Sequence, residues 1–114
     1  VTGGARWEKL RKASRFRRVC EAGTRYRGEC LSIYLLPSPD DVPRAGVSVG
    51  RRVGNAVSRN RAKRLIREAL RLNRDRLSAA VWIVCVARKE IAGAGLSLVE
   101  ASLVKLLGQA GACK

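Results

Sequence analysis

Between Gly28 and Leu36, Leu31, Ile33 and Leu35 alternate with Cys30, Ser32 and Tyr34, and Pro37 and Pro39 follow. A period of two closed by prolines predicts a strand with one face in a core. Arg44 to Gly50 repeats the alternation, with Ala45, Val47 and Val49 set against Gly46, Ser48 and Gly50. This predicts a second strand with one apolar and one bare face. Over 58–74 the period becomes helical, because Ala62, Leu65, Ile66, Ala69 and Leu70 fall on one stripe. Val81 to Ala87, VWIVCVA, is a continuous run of β-branched and aromatic residues, as expected of a strand buried on both faces. Near the start, Phe16, Val19 and Cys20 predict a short helix over 15–22, capped by Ser14 and stopped at Gly23. Near the end, Ser97 and Glu100 form a capping box for a helix carrying Val99, Leu103, Leu106, Leu107 and Ala110.

The predicted order is α-β-β-α-β-α, an α+β sandwich with room for an extra short strand near 51–55. At 114 residues the chain has the size of one domain, expected over 10–110 with tails at 1–9 and 111–114. The segment Val1 to Ala5, which begins without Met and contains Gly3 and Gly4, is expected to be either a processed or an artificially added end, and to add nothing to the fold.

Charge changes this picture most. Twenty-four Lys and Arg against nine Asp and Glu leave a net +15, the balance of a protein that meets a polyanion. A hydrophobic content of 46% argues for a folded basic module rather than a disordered arm. The chain has no His, and its cysteines stand at 20, 30, 85 and 113, with no CxxC. Zinc binding and histidine acid–base chemistry are therefore not expected. Glu68 and Asp75 lie among arginines, where helical ion pairs are their natural role. VGNAV lacks the GKS/T ending of a phosphate loop. With no apolar run of membrane length and no signal-peptide layout, the sequence reading is a cytoplasmic protein with reduced thiols.

Residues 1–27 hold nine basic side chains and residues 44–76 hold eleven. Opposite the apolar stripe of the 58–74 helix, Asn60, Lys63, Arg64, Arg67 and Arg71 share a face flanked by Arg59 and Arg61. Guanidinium forks of this kind pair with phosphate oxygens at any working pH. Asn60 suits either a base edge or 2′-hydroxyl or a first-turn cap. The strand face bearing Ser32, Tyr34, Gly46 and Ser48 has little bulk and is expected to be open. Phe16 and Tyr34 would offer rings there for unpaired bases, unless Phe16 packs inward.

The stretch Gly50 to Glu68, GRRVGNAVSRNRAKRLIRE, closely resembles the signature of the bacterial ribonuclease P protein subunit. LRKASRFRRVCEAG, AGVSV and VWIVCVARK fit the same family in order. The resemblance implies a left-handed crossover between parallel strands, against the usual right-handed rule. It also implies an RNA-catalysed endonuclease that removes the 5′ leader of precursor tRNA, with no catalytic residue on the protein. Carried over, Arg59, Asn60, Arg61, Lys63, Arg64 and Arg67 would meet the catalytic RNA, with Arg51, Arg52, Asn55 and Arg71 in the same RNA-binding set. Phe16, Cys20, Ser32, Tyr34 and Ser48 would line a cleft for the single-stranded leader. Cys20 stands where the family usually has a second aromatic. Magnesium (Mg2+) is implied for the holoenzyme, held chiefly by RNA and substrate, with no protein metal site. The implied partners are the catalytic RNA and precursor tRNA, without membrane or DNA. The alternative is a ribosomal-type structural RNA-binding protein. A helix-turn-helix DNA reader is disfavoured by the strands flanking the basic helix.

Overall fold

A computed structural model describes residues 8–76 and 80–112. Its elements are β1 (Glu8–Lys9), α1 (Ala13–Ala22), β2 (Thr24–Arg27), β3 (Leu31–Pro37), β4 (Arg44–Ser48), α2 (Ala56–Asn73), β5 (Val81–Ala87) and α3 (Leu96–Gln109). Short 3-10 turns occupy Arg51–Val53, Arg74–Arg76 and Lys89–Gly93.

The strands form one sheet in the order β1-β4-β5-β3-β2. β5 runs parallel to β4 and antiparallel to β3, so its continuous apolar sequence reflects a central place with both faces covered. Ile83 and Cys85 join Leu31, Ile33, Ile66, Leu103 and Leu107 in the main core, beneath α2 and α3. Trp82 and Val84 join Leu10 and Val19 in a smaller core beneath α1. The sheet is thus the middle layer, and α2 connects the parallel pair β4 and β5.

Several boundaries differ from the sequence expectation for identifiable reasons. Glu8 and Lys9, expected in a tail, pair with Arg44 and Ala45; backbone pairing of two polar residues leaves no hydrophobic period to read. β2, TRYR, was absent from the predicted order because only Tyr26 reaches the core while its neighbours are arginine. Residues 51–53 form a 3-10 turn rather than a strand. α1 starts before Ser14, behind Lys12, which makes no side-chain cap. α3 begins behind Gly95, also without a side-chain cap. Glu100 does not complete a box with Ser97: its Oε2 accepts a hydrogen bond from Asn73 Nδ2 at 3.0 Å. Asn73, only 2% exposed, also donates to the Ala69 carbonyl at 2.8 Å, tying α2 to α3. In the expected C-terminal tail, Gly111 adopts φ 69°, and Ala112 N–H returns to the Leu107 carbonyl at 3.0 Å. This left-handed glycine closure ends α3 in a Schellman turn. Val1 to Ala5 and Cys113 lie outside the described residues.

One polar network fixes the β1 side of the sheet. Arg44 is 8% exposed, yet its Nη1 meets both Asp40 carboxylate oxygens at 2.8 and 2.9 Å, and its Nη2 lies 3.4 Å from Glu8. The Arg44 and Arg15 guanidinium carbons each stand 5.3 Å from the Trp82 ring centre, within cation–π range. Trp82 Nε1 donates to the Val42 carbonyl. The Arg44 and Ser38 hydrogen bonds hold the Asp40 carboxyl down at about 2.

Candidate nucleic-acid interface

α2 separates its two faces as its sequence demands. Ala62, Ile66 and Ala69 are buried, while Asn60, Arg64, Arg67 and Arg71 are exposed and Arg59 and Lys63 half-buried. The expected basic set is nevertheless divided among different tasks. Asn55 is the N-cap: its Oδ1 accepts the Ser58 N–H at 2.9 Å, so it has a structural task at the helix start besides its exposed place in the basic set. Asn60 lies beyond the first turn, which removes the capping alternative and leaves its amide facing solvent. Arg61 donates from Nη2 to the Ala94 carbonyl at 2.7 Å, fastening α2 to the turn before α3. Arg71 forms a fork with Glu68, with Nη2 and Oε2 2.9 Å apart. That pair lowers the Glu68 pKa and raises that of Arg71, first through the hydrogen bond and then through charge. Arg61 and Arg71 therefore also serve the fold and its surface balance, while both line the basic face. Arg51, Arg52, Arg64 and Arg67 are exposed and make no ion pair among the described residues.

A groove of about 600 Å³ runs along this face, lined by Arg61, Arg64, Leu65, Arg67, Glu68, Arg71 and Leu96. Val57, in the first turn, is 76% exposed and lies one turn before Asn60 and Arg61. Its signal in the sequence is an apolar residue on an otherwise polar face. An exposed side chain of this kind suits contact with a ribose or base rather than with phosphate.

The second surface lies on the α1 side of the sheet, and strand register defines it. Ser48, Val86, Ser32 and Arg27 form one transverse row, and Gly46, Val84, Tyr34 and Arg25 form the next. Directly paired residues share a face, so all these side chains point toward α1. Phe16 sits on Gly46, whose missing side chain makes room for the ring. Phe16 is half-buried: its ring tip lies over Gly46 and the ring packs against the small core of Leu10, Val19, Trp82 and Val84, so it is in part the inward anchor that the sequence left open. Cys20 follows one turn later on the same edge of α1 and is exposed. Partial burial and then the neighbouring Glu21 raise its thiol pKa. Tyr34 and Ser48 are half-buried. Ser32, expected as an open lining residue, is only 4% exposed, because its short side chain lies between Val86 and Arg27. Val86, half-buried on the same row, is the apolar floor residue that the sequence hid within a continuous strand run.

Among the described residues, no three of His, Cys, Asp and Glu come together as a metal site. No described helix is long and apolar enough to cross a membrane. Cys30 and Cys85 are buried free thiols, and burial pushes Cys85 up to about 12, as befits packing rather than reactivity.

The model of the Ribonuclease P family matches residues 5–111. The ribonuclease P protein component of Clostridium botulinum (strain Loch Maree) is 38% identical over 104 residues, covering 90% of this chain and 94% of that protein. The component from Clostridioides difficile (strain 630) is also 38% identical, over 86% of this chain and 87% of that one. The Staphylococcus aureus RNase P protein superposes with a TM-score of 0.85 at 26% identity, covering 96% of this chain and all of that one. The Thermotoga maritima RNase P protein gives 0.79 at 27% identity, over 90% and 96% of the respective chains. With the family model matched over nearly the whole sequence and the relatives matched over most of their own length, the chain belongs to the ribonuclease P protein family.

Proposed function

We propose that this chain is the protein subunit of a cytoplasmic ribonuclease P in which RNA performs the cleavage and the protein holds RNA and the 5′ leader of precursor tRNA. The observation that carries this reading is the continuity of the two surfaces. Ser48 ends β4 at the open row, and Arg51, Arg52 and α2 follow directly. A strand leaving the basic face is thereby delivered to the row bordered by Phe16 and Tyr34.

The division of labour follows from the side chains. Arg51, Arg52, Arg64 and Arg67 supply fixed positive charge for phosphates of the catalytic RNA. Asn60 and Val57 add a polar and an apolar contact at the same helix end. Phe16 and Tyr34 offer half-open rings on which unpaired bases stack. Nothing in this scheme requires a protein general acid, base or nucleophile, and magnesium acts through ligands of the RNA and substrate. The decisive experiment adds the protein to a bacterial ribonuclease P RNA at low magnesium with a precursor tRNA. Protein-dependent release of the leader is expected. RNA binding without stimulated cleavage would favour the ribosomal-type alternative instead.

A further inference from the structure

The transverse rows do not end at Tyr34 and Ser32. Antiparallel pairing puts Arg25 opposite Tyr34 and Arg27 opposite Ser32, while Tyr26 between them turns to the main core beside Ile33. Both arginines therefore stand on the cleft face, at the far edge of the sheet. Both are exposed, and neither makes an ion pair among the described residues. An edge strand with charged residues has a ready structural explanation, since charge discourages edge-to-edge pairing. That explanation is indifferent to which face the charges occupy, whereas here Arg27 extends the Ser48–Val86–Ser32 row and Arg25 stands beside half-buried Tyr34 at its margin.

We propose that Arg25 and Arg27 form the distal end of the leader site, gripping phosphates of the 5′ leader after it has crossed the sheet. This inference rests on the leader-cleft reading above. Adjacent strands lie about 4.8 Å apart, so three steps from β4 to β2 span about 14 Å. Such a floor holds only a few extended nucleotides before the strand reaches the arginine edge. A base stacked on Tyr34 has its backbone beside Arg25, because cross-strand partners have Cβ atoms about 5 Å apart. The track then has basic groups at both ends, Arg51 and Arg52 beyond Ser48 and Arg25 and Arg27 beyond Tyr34 and Ser32, with apolar and aromatic contacts between them. The ligand that matches is a single strand with unpaired bases and a continuous phosphate backbone.

The test measures binding of holoenzyme to precursor tRNAs whose leaders run from about two to about ten nucleotides. Wild type should gain affinity as the leader lengthens toward β2. Arg25→Ala with Arg27→Ala should remove about fivefold from the longest leader and leave the shortest within about twofold. The salt slope should fall by about 1.4 on long leaders alone, from two single-strand phosphate contacts. Arg25→Lys with Arg27→Lys should restore that slope. Arg25→Gln with Arg27→Gln preserves the stems on the edge strand, and melting curves check that every variant is folded. Tyr34→Ala separates the two levels of inference. If the wild-type gain with leader length exists and depends on Tyr34 but survives the arginine changes, the arginine proposal is overturned alone. If wild type shows no gain with leader length, the cleft reading and the proposal fall together. Equal losses for long leaders, short leaders and mature tRNA would assign these arginines to the tRNA body or catalytic RNA and overturn the proposal.

Discussion

Gly46→Ala tests how the wall of the cleft is seated on its floor. A Cβ at residue 46 would lie 2.8 and 3.0 Å from Cε2 and Cε1 of Phe16, and closer still to Cζ, where ordinary contact begins at 3.4 Å. The ring must therefore retreat by at least about 0.6 Å (3.4 minus 2.8). Crowding of this kind costs about 1–3 kcal/mol, while replacing a strand glycine by alanine returns about 0.5–1 kcal/mol. The net loss should be about 1 kcal/mol at mid-range and at most about 2.5 kcal/mol, a mid-range fall in Tm of about 4–8 °C for a domain of this size. In a Phe16→Ala background the obstruction is gone, so the same substitution should become neutral or slightly stabilising. The four members of this cycle, melted by circular dichroism, should show a coupling above about 1 kcal/mol. Leader binding by the Gly46→Ala holoenzyme should fall as well, since the displaced ring no longer borders the row. An equal loss of stability in both backgrounds would refute the seating of Phe16 on Gly46.

Arg64→Ala with Arg67→Ala should weaken RNA binding and reduce its salt slope by about 0.7–0.9 per lost contact while leaving the dichroism spectrum unchanged; unfolding would show that these residues support the core. Stability should be nearly level above about pH 5 and fall as pH drops from about 3.8 to about 2, because over that range the unfolded chain takes up a proton on Asp40 while the fold keeps the same carboxyl ionised. Asp40→Asn should flatten that part of the Tm–pH curve. Cys20→Phe should tighten binding of leader-bearing precursor by about 1 kcal/mol at unchanged Tm; a lowered Tm with no gain would turn residue 20 away from the cleft.

The elements visible in sequence are those whose burial has a period. β5 was legible to the residue because both its faces are covered, and α2 because its stripe of Ala62, Ile66 and Ala69 is opposed by arginine. β1 and β2 were not, because one is held by backbone bonds and the Glu8–Arg44 ion pair, and the other turns a single residue to the core. Side-chain roles were harder still. Asn55 and Asn60 are alike in sequence, and only the helix start separates the cap from the exposed amide. Arg61 and Arg64 are alike in charge, but one reaches the Ala94 carbonyl across a sequence separation of 33 residues. The signature motif marks the family and its basic helix, while the division between free and engaged arginines depends on what α3 and its preceding turn place nearby.

The central position of β5 also sets an order of events during synthesis. β2 and β3 pair locally, and α2 needs only its own hydrogen bonds to begin forming, but β4 lacks its main neighbour until residues 81–87 have been made. Domains assemble as the chain emerges at about 5–20 residues per second, and distant pairings come late because a long loop must close first. The arginines of α2 are therefore synthesised before the floor of the cleft can close, since Val86 joins Ser48 to Ser32. A chain halted before Ala87 can present basic helix to RNA but has no surface across which a leader could run. Under the function proposed above, the order in which the polypeptide appears would place docking on RNA ahead of substrate capture.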